Sequence, residues 1–291
     1  MPKPLTIAFY SPVSGNGSSL LALNLFEYYR SFCESENYVL LDCDISYPTL
    51  RYYLEVGEAH TTDVYAEMPH ILREKCILCK VCEKACHFGA IRISGSINQV
   101  TFVEKKCIAC GACLNTCRHA AIVPRDHKIG KYMVSELEEK TFLIDAGQDV
   151  PERFHVPVIQ AMKAKAMNYS FVIIDAKPGL SAESLESIYD ADLLIMVADA
   201  RSFAGMHCNT ILPDLKKLTA KQSILINRCA GKPVHVHEYA IQHNIPIIYE
   251  MPFDEKFQLT GMNGEIAVKK QTDYLSAFDT IASNIEKILN S

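Results

Sequence analysis

Eight of the chain's twelve cysteines fall in two short runs of identical spacing. Cys76, Cys79, Cys82 and Cys86 lie in KCILCKVCEKACHFGAI, and Cys107, Cys110, Cys113 and Cys117 lie in KCIACGACLNTCRHAAI. Each run reads C-x2-C-x2-C-x3-C. Every cysteine of the second run stands 31 residues after its counterpart, and so do Ala121 and Ile122 after Ala90 and Ile91. One supersecondary unit has therefore been duplicated. Three thiolates at i, i+3 and i+6 wrap a tight loop around one iron–sulfur cubane, each taking one iron, and the fourth iron is ligated from the other repeat.

This spacing predicts two 4Fe–4S clusters. Cys76, Cys79, Cys82 and Cys117 are the expected ligands of one, and Cys107, Cys110, Cys113 and Cys86 of the other. Small residues at Ala109, Gly111 and Ala112 leave room for backbone amides near the sulfurs. Ala90, Ile91, Ala121 and Ile122 supply apolar cover. Zinc modules instead pair two C-x2-C knuckles across a longer gap. The bacterial ferredoxin pattern has Pro after each fourth cysteine. Here His87 and Arg118 stand there, read as solvent-facing substitutions that remove no ligand. The remaining Cys33, Cys43, Cys208 and Cys229 are scattered in apolar or helical contexts and are read as buried, inert thiols.

Net charge is −5, which argues against a general nucleic-acid binder. Residues 73–128 nevertheless carry ten Lys/Arg against four Asp/Glu. That basic excess offsets the negative charge of thiolate-ligated clusters and suits docking of an acidic redox or metallocluster partner. No run of eighteen apolar residues is present, so no membrane span is expected. The N-terminus, MPKPLTIAFY, lacks the features of a signal peptide. A cytoplasmic protein is expected, and disulfides are not.

The rest of the chain alternates short apolar, β-branched runs with helical patterns. Strands are expected at Leu5–Tyr10, Tyr38–Asp42, Phe171–Asp175, Leu193–Ala198, Ser223–Ile226 and Pro246–Tyr249. Helices are expected at Ser18–Phe32, Val156–Ala166, Gly205–Leu218 and Tyr274–Leu289. Such a series indicates an α/β fold with a parallel sheet covered on both faces. The cysteine unit interrupts it. The expected organisation is a discontinuous α/β domain over 1–64 and 129–291, with a small α+β bacterial-ferredoxin-like insert at 65–128.

The first strand runs into SPVSGNGSSLLALNLF, the outline of a phosphate-binding loop at a helix N-terminus. Asp42 and Asp44 follow in LLDCDISYPTL. IIDAKPGL contains Asp175, and INR and MPFDE come later. In this order the motifs resemble the MinD/ParA family of deviant P-loop ATPases, and more closely its subgroup with an inserted two-cluster ferredoxin domain. The resemblance spans nearly the whole chain. It implies that Gly15, Gly17 and Ser18 cradle phosphate and that Ser19 binds magnesium. By the same resemblance Asp44 orients attacking water, Asp175 stands behind the metal, and Asn227 reads the purine base. Pro252 and Asp254 would flank that base. ATP and magnesium are the implied ligands.

The family loop reads K-G-G-x-G-K-[ST], whereas this chain has Val13-Ser14-Gly15-Asn16-Gly17-Ser18-Ser19. Val13 replaces the lysine that crosses a dimer, and Ser18 replaces the one that contacts the β/γ-phosphates. No lysine occurs between Lys3 and Lys75. Phosphoryl transfer depends on preorganised positive charge, and losing one such group costs on the order of 10²–10³ in rate. ATP hydrolysis by this chain alone is therefore not expected. A homodimer, or a heterodimer with a lysine-bearing MinD-like paralogue, is the implied assembly. The functional expectation is an iron–sulfur MinD-like protein in electron transfer or metallocluster biogenesis. The alternative is a nucleotide-dependent ATPase of the MinD/Mrp type. His235 and His237 alternate without a third ligand and read as a surface helix start. The C-terminal YLSAFDTIASNIEKILNS, with Lys287 as its one basic residue, reads as a packed helix rather than a lipid anchor.

Overall fold

Continuous apolar runs such as Phe171–Asp175 are too short for helices and carry no polar face, so they are buried strands. The computed structural model describes residues 3–32, 37–138, 140–199, 215, 217–229, 231 and 233–291. Cys33, Cys208 and most of the helical pattern at Gly205–Leu218 lie outside the described residues.

In chain order the first six strands are β1 (Leu5–Tyr10), β2 (Tyr38–Asp42), β3 (Ala59–Ile71), β4 (Ile91–Ser94), β5 (Gln99–Phe102) and β6 (Ile122–Glu138). They are followed by β7 (Thr141–Ala146), β8 (Phe171–Asp175), β9 (Leu193–Asp199), β10 (Lys221–Cys229) and β11 (Ile247–Pro252). The described helices are α1 (Ser18–Phe32), α2 (Val81–Ala85), α3 (Ala112–Thr116), α4 (His155–Ala166) and α5 (Ala182–Ile188), then α6 (Val234–His243), α7 (Glu255–Met262), α8 (Ala267–Lys270) and α9 (Thr272–Asn290). None of these is long and apolar enough to cross a membrane.

Two compact units result. One comprises Met1–Thr61, Tyr132–Gln148 and Ile159–Ser291, and the other Thr62–Lys131 and Asp149–Val158. The strand order of the main sheet is β11-β10-β9-β1-β8-β2-β7-β6-β3. From β11 to β7 neighbouring strands are parallel, and β6 runs antiparallel to β7. The expected parallel α/β sheet is present. The strands β9, β10 and β11 extend past the apolar runs that announce them, because ladder pairing continues where side chains turn polar.

In the first unit β1 lies between β8 and β9, so the chain leaves this central strand to either side. The crevice beyond the carboxyl ends at such a switch point is where open α/β sheets place ligands. The residue α1 needs most at its core face is apolar, and Leu21, Ala22, Leu25 and Phe26 are fully buried. Two polar side chains are buried with them. Asn24 Oδ1 accepts from the Val268 amide at 3.0 Å, and Glu27 pairs with Arg30 and with Lys269 Nζ at 3.1 Å. The C-terminal α9 buries Tyr274, Phe278, Ile281, Ala282 and Ile285. Its apolar stripe therefore faces the core, and each fully buried Phe or Ile contributes about 2 kcal/mol.

The second unit preserves the duplication. Short turns at Arg73–Lys75 and Glu104–Lys106 precede the two cysteine runs, and α2 and α3 occupy equivalent places. The strands β4 and β5 pair antiparallel from Ile91↔Phe102 to Ser94↔Gln99. The Leu72 amide donates to the Ala121 carbonyl at 2.8 Å, and its repeat equivalent Val103 donates to Ala90 at 2.7 Å. Ile91, Ile93, Val100 and Ile122 form the apolar core, together with Cys82 and Cys113.

One long-range ion pair ties the first unit's edge together. Arg51 grips buried Asp145 through two 2.7 Å bonds and reaches Ser135 Oγ at 3.0 Å. Removing one partner strands a buried charge. Arg51→Met is expected to cost about 3 kcal/mol in anaerobic denaturant unfolding, and Arg51→Met with Asp145→Leu to recover much of it.

Candidate metal centres and anion loop

Each cysteine run must turn back on itself within a few residues, and the backbone shows how. Leu78 and its counterpart Ala109 have φ of 58° and 57°, Lys80 and Gly111 have 64° and 73°, and Gly89 and Ala120 have 61° and 47°. The left-handed conformation is costly for residues with a side chain, about 1 kcal/mol each. Its recurrence at the same register in both repeats marks a loop held by what it encloses. Backbone amides point at the sulfurs. Ala90 donates to Cys86 Sγ at 3.2 Å, Ala121 to Cys117 Sγ at 3.3 Å, and Ala109 to Cys107 Sγ at 3.4 Å.

Two cavities open inside this unit. Cys76, Cys79, Cys82 and Cys117 line one, beneath Ile71 and Ile122. Cys86, Cys107, Cys110 and Cys113 line the other, beneath Ile91 and Phe102. Each cavity thus gathers three cysteines of one repeat and the last cysteine of the other. Burial pushes the thiols of Cys82 and Cys107 up, and that of Cys113 up to about 11. Such groups hold their protons until a metal centre supplies positive charge. Four sulfur donors, amide N–H groups aimed at sulfur and an apolar lining fit a cubane cluster. Cys79 and Cys110 are exposed, so each cavity has one cysteine at the surface. Elsewhere Cys43 is fully buried, with its thiol raised to about 12 by burial, an inert core residue. Cys229 differs from the expected buried thiol. It is partly exposed at the end of β10, where its Sγ donates to the Gly231 carbonyl at 3.2 Å.

In the first unit the loop between β1 and α1 is closed by its own polar groups. Gly15 and Gly17 take φ of 85° and 84°. Buried Asn16 donates from Nδ2 to Ser11 Oγ at 2.8 Å. Asn227, at the end of β10, donates to the Asn16 carbonyl at 2.7 Å and packs so tightly that a Cβ on Gly17 would lie 2.6 Å from its Nδ2. Arg228 Nη1 donates to the Gly15 carbonyl at 2.8 Å. The two side chains of the INR motif are therefore spent on the loop. Val13 is exposed and Ser18 buried, and neither places a charge there. Pro252 ends β11 beside Cys229. Asp254 caps α7 by accepting from the amides of Lys256 and Phe257, and it also accepts from Tyr274 Oη at 2.7 Å.

The carboxylates cluster at the carboxyl ends of β2 and β8. Asp42 lies opposite Asp175 in the ladder and accepts from the amides of Asp44 and Leu50. Ser19 hydrogen-bonds to Asp175. One oxygen each of Asp44 and Asp175 is buried without a partner, the arrangement a divalent cation would complete. Nothing in the sequence pattern marks Lys177, yet its ammonium pairs with Glu183, bonds Ser46 Oγ at 3.2 Å and opposes the burial that raises Asp44. The carboxylates stay together at the strand ends, while the loop's two lysine positions hold uncharged side chains and the guanidinium beside it, that of Arg228, is bonded to the Gly15 carbonyl and faces Asp199 at 3.9 Å. His235 and His237 stand at the start of α6 and pair with Glu238 and Glu250.

Burial pushes Asp175 up to about 7 and raises Asp42 as well. Between pH 4 and 7 the folded chain therefore holds a proton that the unfolded chain releases, and stability falls as pH rises through that window. Denaturant midpoints in magnesium-free buffer should decline from pH 4 to 7. Asp175→Asn should flatten the slope and be the more stable protein at pH 8.

Residues 75–121 match the 4Fe-4S dicluster domain family. No curated protein matches the chain. Solved structures do, at low identity. A ParA family ATPase from Chlorobium tepidum is 16% identical with a TM-score of 0.58, over 97% of this chain and 98% of that one. The cell division ATPase MinD of Pyrococcus furiosus is 16% identical with a TM-score of 0.59, over 97% and 98%. The septum site-determining protein MinD of Pyrococcus horikoshii, solved with Mg-ADP, is 16% identical with a TM-score of 0.57, over 98% and 96%. These likenesses and the two cysteine-lined cavities lead to one description: an iron–sulfur-binding chain with the fold of the MinD/ParA P-loop ATPases and a segment matching the 4Fe-4S dicluster domain.

Proposed function

We propose that the chain is an electron-transfer protein carrying two 4Fe–4S clusters. One is held by Cys76, Cys79, Cys82 and Cys117, and the other by Cys107, Cys110, Cys113 and Cys86. The observation that carries this reading is the gathering of those two sets around separate cavities, each crossing between repeats. When bound, such clusters accept and donate single electrons. The cysteines fix them, the amides of Ala90, Ala109 and Ala121 direct N–H groups at sulfur, and the isoleucines exclude water. Ligation from two repeats locks each cluster into the folded unit, which suits a permanent redox centre better than a labile cargo.

The nucleotide-type unit is the docking scaffold in this reading. A homodimer would contain two loops without a lysine. The assembly we favour is a heterodimer with a MinD-like paralogue whose crossing lysine enters this chain's loop. That a structural neighbour from Pyrococcus horikoshii was solved with Mg-ADP supports a nucleotide as the ligand of this unit. The orphaned oxygens of Asp44 and Asp175 are what this chain retains for the metal.

Protein purified without oxygen should contain about eight irons per chain. Cys117→Ser should damage the cluster held by Cys76, Cys79 and Cys82 and spare the one nearest in sequence, as read by Mössbauer spectroscopy. Loss of the other cluster refutes the crossed ligation, and stoichiometric zinc refutes the assignment. Rapid, complete cluster transfer to an apo-acceptor would replace electron transfer by an assembly role.

Phosphate release by the isolated chain with magnesium and ATP should be negligible. Val13→Lys combined with Ser18→Lys should raise ATP affinity, measured by titration calorimetry. Robust wild-type turnover would overturn this and point to another cation in place of the lysines.

A further inference from the structure

The cysteine unit holds a further cavity, of about 490 Å³, that contains no cysteine. That volume is in the range of small-molecule sites. The end of β3, the end of β5 with the turn that follows it, and residues 125–128 of β6 enclose it. The duplication breaks down at this place. In the first repeat the chain turns after β4, at Gly95, and returns as β5. In the second the strand does not turn, and β6 runs on from Ile122 to Glu138. That extension supplies Arg125, Asp126, His127 and Lys128. Phe102 and Glu104 also stand where the first repeat has Ile71 and Arg73.

Part of the lining is apolar. Met68 and Pro69 are buried, and Phe102 is half-buried. Pro69 and Phe102 also line the cavity of Cys86, Cys107, Cys110 and Cys113, so the two cavities share these residues as a wall. The rest of the lining is polar, and some of it is already committed. His127 Nε2 lies 3.3 Å from Glu104 Oε1, and Lys128 pairs with Asp63 at 2.6 Å. Among the described residues, the side chains of His70, Arg125 and Asp126 have no ion pair or hydrogen bond. They leave an imidazole, a guanidinium and a carboxylate for an occupant. A bare anion would answer Arg125 but be repelled by Asp126, and an uncharged hydrocarbon would answer neither. The three surfaces together suit a molecule with a flat ring for Phe102, an anionic group for Arg125 and N–H or O–H donors for Asp126.

We propose that this cavity is a binding site for a small heteroaromatic phosphate, of the nucleotide or flavin-phosphate class. The guanidinium fork of Arg125 matches phosphate oxygens, and a phosphate has oxygens enough to accept from His70 as well. The ring packs on Phe102, and its polar edge donates to Asp126. The site goes beyond the electron-transfer reading and does not need it, because its charges and its ring come from side chains that bind no iron. It is also separate from the loop between β1 and α1.

The test uses the full chain purified without oxygen. Flavin mononucleotide binding is read by quenching of its fluorescence, and AMP binding by titration calorimetry. Riboflavin, adenosine and inorganic phosphate are the comparison probes. At least one of the two phosphate esters should bind, and its dephosphorylated form should bind about tenfold more weakly. Which ester binds tells nucleotide from flavin, and either supports the class. Arg125→Gln should weaken the ester by about tenfold and leave the dephosphorylated form unchanged. An ester whose affinity is unchanged in Arg125→Gln sits elsewhere in the chain and overturns the proposal. So does the absence of binding by both esters, or inorganic phosphate binding as tightly as they do. Should Arg125→Gln fail to fold, wild type decides: riboflavin and adenosine binding as tightly as their phosphates contradicts the site. The iron content of the same sample tests the two-cluster reading separately.

Discussion

Buried thiols and positive metal charge depend on each other in this protein. The second unit places Cys82 and Cys113 inside a small apolar core and buries Cys107 as well, and burial raises the pKa values of all three and makes bare thiolates unfavourable. The apolar side chains clustered with these cysteines are Ile91, Ile93, Val100 and Ile122. A core this small is marginal without a metal or another cross-link. Sulfur–iron bonds would therefore be folding energy for this unit as well as its chemistry. The crossed ligation we propose would make each half depend on the other, as the paired bonds Leu72–Ala121 and Val103–Ala90 do in the backbone.

The first unit depends on a different balance. A phosphate loop normally leaves its amides and a lysine free for an anion. Here the loop's carbonyls are bound by Asn227 and Arg228, and its lysine positions hold Val13 and Ser18. The carboxylates have not been lost in step. Asp42, Asp44 and Asp175 still converge at the strand ends, with burial raising all three. The carboxylates stand beside a loop with no lysine, whose neighbouring Arg228 is already bonded to the Gly15 carbonyl and faces Asp199, which is why we look to a partner chain for further charge.

Much of this was legible in the sequence because it is encoded locally. The eight cysteines are named by spacing alone. The helix α1 occupies the predicted Ser18–Phe32, and three of the six expected strands keep their bounds. What was not legible is non-local or polar. The long strand β3, Ala59–Ile71, is mostly exposed and reads as polar chain, so its strand character comes from pairing rather than pattern. The Arg51–Asp145 pair joins residues 94 apart. Nothing local announces that Asp149–Val158 belongs with the cysteine unit, or that Lys177 faces Ser46 and Glu183. The candidate nucleotide residues were reached through a resemblance, and the commitment of Asn227 and Asp254 to internal hydrogen bonds became visible only in three dimensions.

The central claim is that two cubane clusters share one small duplicated unit. Its most direct test is the low-temperature electron paramagnetic resonance spectrum of the fully reduced protein. Two 4Fe–4S clusters housed in one unit of this size are close enough for their spins to couple, so the account predicts a broadened, interaction-split spectrum integrating to about two spins per chain. A single isolated signal of one spin, or a silent spectrum with zinc bound, would contradict it.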